Sequence, residues 1–150
     1  MEIIKFNHNN GEELISEDIK NTLIYEISQL FISPFKCSEL KKDIKKIMKR
    51  NGWSNPVRVI KYANITITSM KGNTGLCIQF GNVARFYADI LKLQKMFNDQ
   101  IISNAIYIIL IKKTAKKCGS NIANYERLTQ ELKYFKDIIN VPVLVLGIGE

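Results

Sequence analysis

Residues 65–82 read ITITSMKGNTGLCIQFGN. Two short runs rich in β-branched and apolar residues flank Lys71-Gly72-Asn73-Thr74-Gly75, a cluster of turn formers, and this pattern predicts a β-hairpin. Ile65 and Ile67 alternate on one arm, and Leu76, Ile78 and Phe80 on the other. Val57 and Val59 alternate in the same way behind Asn55-Pro56, so the spacing predicts three strands, the last two forming the hairpin. Residues two apart on a strand project from one face and the facing strand brings a third group alongside, which makes such a hairpin a natural mount for chemistry.

Outward from the hairpin the period changes to that of helices. Ahead of it, after a short apolar lead (Ile3, Ile4, Phe6) and turn-forming residues 7–11, Ser16 is placed to cap a helix. Its stripe is Ile19, Leu23, Ile27, Leu30 and Phe31, and Pro34 stops it. A second helix is predicted from Ser38, with Leu40, Ile44, Ile47 and Met48 inward, its lysines outward and Gly52 as its C-terminal cap. Behind the hairpin, Asn82 opens a helix carrying Phe86, Ile90, Leu93 and Phe97 on one face. The continuous apolar run 105–111 suits a strand buried on both sides. A basic loop, KKTAKKCGSN at 112–121, leads to a helix with Tyr125, Leu128, Leu132 and Phe135 inward, and a second buried strand at 143–148 ends the chain. The order ααβββαβαβ predicts an α/β class protein, a mixed β-sheet flanked by helices on both faces.

No repeat, low-complexity tract or Pro/Gly-rich linker divides the 150 residues, so one domain spanning 1–150 is expected. Hydrophobic residues make up 46% and charged residues 24%, which argues against disorder. Twenty-two Lys and Arg against fourteen Asp and Glu give a formal charge of +8 and point to polyanionic partners. The longest apolar runs are too short to span a bilayer and the first residues lack a signal core, so a cytoplasmic protein with no membrane partner is expected. Cys37, Cys77 and Cys118 form no C-x-x-C pair and His8 is the only histidine, so zinc spacing is lacking and reduced cysteines are expected. No G-x-G-x-x-G, Walker, G-x-S-x-G or paired-His motif occurs, KGNTG reads as a turn rather than a phosphate cradle, and no small-molecule cofactor is expected.

The hairpin with its flanking segments resembles the PD-(D/E)XK nucleases, and more narrowly the BglII/BstYI group of type II restriction endonucleases, relatives of BamHI. The segments that carry the resemblance are NHNNGEEL, SELKKDI with the following GW, CIQFGN with RFYADILKLQ, then SNIANYERL and VPVLVLGI, in the family's order over nearly the whole chain. The resemblance implies a restriction-endonuclease-like fold, double-stranded DNA as partner, a homodimer and a place in restriction-modification. It also implies Mg²⁺ as cofactor if the protein is active, since phosphodiester hydrolysis needs a hard cation held by carboxylates to polarise the phosphoryl group and generate hydroxide.

On that pattern Thr68 stands at the metal-binding aspartate and Cys77 at the glutamate, while Gln79 matches the third active-site position and Lys71 the hairpin lysine. Neither Thr68 nor Cys77 carries the formal negative charge that Mg²⁺ requires, and a thiol is a soft ligand. Three readings remain open. The active site has decayed, leaving a catalytically silent module that binds DNA or a protein partner. Alternatively, a carboxylate comes from elsewhere, Glu39, Asp89 or Glu126 being the candidates, and the metal ligands stay unassigned. In the third, Cys77 is a nucleophile, with His8 as the only available base.

DNA contact is separable from cutting. Lys112, Lys113, Lys116 and Lys117 crowd one loop beside Ser120 and Asn121, and Asn82 lies where the hairpin passes into its helix. If both loops face one side, the lysines neutralise phosphates and the Asn side chains reach base edges; the alternative is that Asn82 merely caps its helix and the lysines form a solvated loop. The lysine run at 41–50 reads as the solvated face of an amphipathic helix. The sequence therefore predicts a type II restriction endonuclease-like protein, active with Mg²⁺ or reduced to binding.

Overall fold

The computed structural model describes residues 1–150. Its centre is a five-stranded mixed sheet in the order β1 (Glu2–His8), β7 (Val143–Gly149), β6 (Asn104–Leu110), β5 (Thr74–Gln79), β4 (Ser69–Lys71). The three inner strands are β5 (Thr74–Gln79), β6 (Asn104–Leu110) and β7 (Val143–Gly149), parallel to one another and buried along their whole length. Strands covered on both faces read as unbroken apolar runs, as these do. Alternate residues feed two separate cores. Leu76, Ile78, Ile106, Ile108, Leu144 and Leu146 pack under α2 (Glu17–Ser28) and α3 (Cys37–Arg50). Cys77, Ala105, Tyr107, Ile109, Val143 and Val145 pack under α4 (Ala84–Asn98) and α6 (Tyr125–Tyr134).

The hairpin forms as predicted, between β4 (Ser69–Lys71) and β5, with Lys71 opposite Thr74 across the turn residues Gly72 and Asn73. Gly72 supplies the positive φ of 57° that a two-residue turn needs at its first position. The arm that carries Ile65 and Ile67 is not one strand. β3 (Thr66–Ile67) pairs with β2 (Val57–Arg58) in a separate two-stranded sheet, and the chain jogs at Thr68 before β4 joins the main sheet.

Several boundaries differ from the sequence expectation. The apolar lead is a full strand, β1 (Glu2–His8), antiparallel to β7, with Phe6 opposite Val145, so the element order begins with β. Lys5 and Asn7 interrupt its apolar pattern because it is an edge strand, held by its ladder with β7 more than by its own side chains. Two single-turn helices, α1 (Gly11–Leu14) and α5 (Lys112–Ala115), occupy stretches expected as turn and loop. α2 ends at Ser28, leaving Phe31 88% exposed, and Phe135 caps α6 half out of the core. α3 begins at Cys37, and Gly52 at φ 78° closes it as expected: Gly52 donates to the Lys49 carbonyl and Trp53 to that of Met48.

Cys37 and Cys118 are joined in a disulfide, Cα atoms 6.1 Å apart, against the expectation of three free thiols, and only Cys77 is free. They lie 81 residues apart in sequence, a proximity that only the tertiary fold creates. No helix is long and apolar enough to cross a membrane.

α1 docks against the backbone of β7 through Gly11, where an added Cβ would sit 2.4 Å from the Val143 carbonyl carbon. Gly11→Ala is expected to lower unfolding stability by about 3 kcal/mol by forcing the two backbones apart. Gly52→Ala, strained only in its own φ, is expected to cost about 1–2 kcal/mol. Urea titration of both variants checks the order, and a smaller loss at Gly11 would mean that α1 moves aside freely.

Candidate active-site cleft and nucleic-acid interface

The hairpin register brings the two substituted positions together. Ser69 faces Leu76, so one step further Thr68 lies opposite Cys77, and Thr68 Oγ1 accepts a hydrogen bond from the Ile78 amide at 3.1 Å. Cys77 and Gln79 project from the same face of β5, toward α4. There Gln79 Nε2 donates to Asp89 Oδ2 at 2.7 Å and Gln79 Oε1 accepts from the Gly81 amide at 2.9 Å. The Tyr107 hydroxyl of β6 donates to the same Asp89 oxygen at 3.1 Å, and Lys92, one turn along α4, reaches Oδ1 at 3.0 Å. A carboxylate only 8% exposed is thus held by three donors, as buried charge requires. Among the carboxylates weighed from sequence, Asp89 is the one that reaches the hairpin.

A cleft of about 230 Å³ opens beside this network, lined by Lys41 and Lys45 of α3, Thr68, Gln79, Asp89 and Lys92 among others. An adjoining cavity of about 180 Å³ shares Lys45, Pro56 and Thr68 and adds Lys49, Ser54 and Asn55. Asp89 is the only acidic residue lining either one. Burial, then the neighbouring Lys45, lowers the pKa of Lys41; the charge of Asp89 opposes the shift and that of Arg85 adds to it.

The remaining sequence candidates fall elsewhere. Lys71 turns away from the cleft and donates to the Asn51 carbonyl at 2.7 Å, completing the C-terminus of α3. Glu39 is half exposed and pairs with Lys36 at 3.3 Å on the side of α3 away from the cleft lysines. Glu126 accepts from the Lys112 amide at 2.7 Å at the start of α5. Cys77 is buried, and that burial, followed by the charge of Asp89, pushes its thiol pKa up, so the thiolate is disfavoured. His8 bonds to the Ile139 carbonyl from β1, three strands away from β5 and so roughly 14 Å distant at ordinary strand spacing. A Cys77–His8 nucleophilic pair is therefore not assembled.

This donor set does not fit Mg²⁺. Thr68 is neutral and spends its oxygen on a backbone amide, Cys77 offers a protonated soft atom, and both oxygens of Asp89 already accept from protein donors. No group of three or more His, Cys, Asp or Glu side chains lies together anywhere in the chain.

The two DNA-facing candidates from sequence are brought together. Parallel β5 and β6 end side by side, Gln79 next to Ile109, so the segments that follow them share one end of the sheet. Asn82 bridges to Ile122, Val83 donates to the Asn121 carbonyl at 3.1 Å, and Ala123 donates to that of Gly81 at 2.8 Å. Asn82, Ser120 and Asn121 are exposed, as are Lys112, Lys113 and Lys116, which have no ion-pair partner. Asn82 Oδ1 accepts from the Ala84 amide at 2.8 Å, capping the start of α4 while its amide nitrogen stays free. Lys117 is engaged instead, paired with Glu150 and lying over the Phe35 ring.

Sequence reasoning missed the cleft lysines. Lys41, Lys45 and Lys49 recur every four residues and so share a stripe of α3 distinct from that of Lys42 and Lys46, a spacing visible in the sequence. Tyr107 gave no signal within its apolar run.

The sequence matches the family described as restriction endonuclease BglII/BglIII over residues 3–148. Among solved structures, that of restriction endonuclease BglII complexed with a DNA 16-mer superposes with a TM-score of 0.87 at 16% identity, covering 100% of this chain and 79% of that one. Free BglII superposes with a TM-score of 0.80 at 18% identity, covering 100% and 80%. No curated protein sequence matches the chain.

The burial of Cys77 is open to a chemical check. At pH 8 iodoacetamide is expected to leave Cys77 unmodified in the native protein and to alkylate it once urea unfolds the chain, read by peptide mass mapping. Rapid native alkylation would show the thiol to be accessible and reactive.

Proposed function

The chain belongs to the restriction endonuclease BglII/BglIII family, and from that premise we propose that it is a type II restriction endonuclease-like domain, residues 1–150, that binds double-stranded DNA without cutting it. On this reading the protein is a PD-(D/E)XK fold of the BamHI-like kind, in which Thr68 and Cys77 have replaced the acids that hold Mg²⁺. One observation carries it: the only carboxylate at the hairpin, Asp89, already accepts from Gln79, Tyr107 and Lys92, filling about three of its four lone-pair sites. Hydrolysis requires a cation that activates water, and a cleft whose charge is mostly positive repels one.

Binding survives in this reading because its parts are independent of the acids. Lys112, Lys113 and Lys116 meet phosphates, and Asn82 with Asn121 faces base edges from one end of the sheet. The solved relative that superposes on the chain was crystallised with DNA, which supports the same partner. Purified protein is expected to retain mixed-sequence plasmid with an affinity that falls steeply as salt rises, and to leave it uncut with Mg²⁺ or Mn²⁺. Metal-dependent cutting that persists in Asp89→Asn and Gln79→Ala would point to contamination; cutting abolished by both would overturn the silent reading.

A homodimer completes the proposal, since two-fold symmetric sites are read by two-fold symmetric proteins. A groove of about 270 Å³ between α4 and α6 supports it, lined by exposed Tyr87, Leu91, Phe135 and Ile138. Its one polar side chain, Glu131, has Oε2 buried without a hydrogen-bond partner, and burial raises its pKa, so the surface suits an occupant that brings apolar groups and a donor. Light scattering is expected to give a dimer mass for the wild type and a monomer mass for Leu91→Glu/Ile138→Glu, both positions being more than 60% exposed in the single chain. A dimer that persists in this variant would place the contact elsewhere.

A further inference from the structure

We propose that Lys41, Lys45 and Lys49 of α3, with Lys92 of α4 across the cleft, form a phosphate-binding track that holds a DNA strand without any divalent cation. This rests on the DNA-binding reading above and goes beyond it by moving part of the contact into the cleft itself.

The track is built by helix geometry. Three lysines at four-residue spacing span about 12 Å of α3, long enough to meet more than one phosphate of a strand that lies along it. They line two cavities that meet at Lys45, Pro56 and Thr68. None of the three has an ion-pair partner, whereas Lys46 on the outward stripe pairs with Asp43 at 2.7 Å. Asp89 is the only anion in the cleft, and Lys92 already meets it. Four lysines share the furrow with this one carboxylate, so the cations left in excess are stabilised by an anion that enters. Burial and the proximity of Lys45 weaken the protonation of Lys41, and a phosphate would restore it.

The shape of the site points to a phosphodiester rather than a free nucleotide. It is an open furrow running along a helix, with Ser54, Asn55 and Thr68 as hydroxyl and amide groups on its walls and no aromatic side chain beyond the buried Trp53 to stack a lone base. At the other end of the cleft Gln79 accepts from the Gly81 amide, next to Asn82, which bridges to Ile122 in the loop at 119–123.

The test is fluorescence anisotropy with a labelled mixed-sequence duplex at matched ionic strength, with Mg²⁺ or with EDTA. Wild-type affinity is expected to agree between the two within about twofold, while Lys41→Gln/Lys45→Gln weakens binding about tenfold and flattens the log affinity against log salt slope by about 2. Lys42→Gln/Lys46→Gln removes the same charge from the outward stripe and is expected to shift affinity by no more than about twofold. All four lysines are at least partly exposed, so both variants keep the fold, which circular dichroism verifies. Equal losses in the two double variants, or wild-type binding that requires Mg²⁺, would overturn the track. Binding lost in Lys113→Gln/Lys116→Gln but intact in Lys41→Gln/Lys45→Gln would also remove it while leaving the DNA-binding reading standing. No retention of duplex by the wild type would remove both.

Discussion

A single buried carboxylate organises the functional end of this protein. Asp89 draws Gln79 from β5, Tyr107 from β6 and Lys92 from its own helix onto two oxygen atoms. Removing Lys92 would leave the buried charge without its counter-charge, and removing Gln79 or Tyr107 would leave it one hydrogen bond short, so the network adds to the apolar contacts of Phe86 and Leu93 in holding α4 against the sheet. The same bonds decide the chemistry. A carboxylate with about three of its four lone-pair sites committed to protein donors has little left for a hard cation, so on the proposed reading the contact that stabilises the fold also disfavours magnesium.

Position 77 follows the same logic from the other side. It lies on a fully buried strand between two cores, 1% exposed, within the same apolar shell as Ile67 and Ile90. A glutamate there would be tolerable only with a cation beside it, because ionised carboxylate in such surroundings is costly. Without the cation, a small neutral side chain is the stable occupant, and cysteine behaves as one. Thr68 is similar: its hydroxyl satisfies the Ile78 amide where the chain jogs out of the main sheet, a structural duty that needs no charge.

The fold was legible where local signals and tertiary packing agree. The hairpin turn at Gly72, the Gly52 cap, the buried runs of β6 and β7 and the inward stripes of α3 and α4 all carried their own patterns. β1 was not, since a strand whose stability comes from pairing with β7 at the far end of the sequence, Glu2 opposite Gly149, has no need to advertise itself. The Cys37–Cys118 link was illegible for the same reason. At the site, the hairpin positions 68, 77 and 79 and the Asn82 junction were readable, and Asp89 stood among the candidates. Lys71 and Glu39 were misplaced because an exposed polar residue on a short element has several partners within reach, and only the packed structure says whether it takes a helix C-terminus, a neighbouring lysine or a ligand.

An ammonium group and a magnesium ion do the same work on a phosphate in its resting state and different work in reaction. Both offset its negative charge. Only the metal lowers the pKa of bound water enough to supply hydroxide at neutral pH, and only the metal coordinates the attacking and leaving oxygens of an in-line displacement. Lysine is a flexible point charge whose donors follow the phosphate but impose no coordination geometry on it. A cleft that exchanges anionic ligands and a cation for lysines can therefore keep its grip on DNA while losing the reaction. On the proposed reading, the loops around Asn82 and Asn121 stand outside that exchange and keep their capacity to sort one sequence from another.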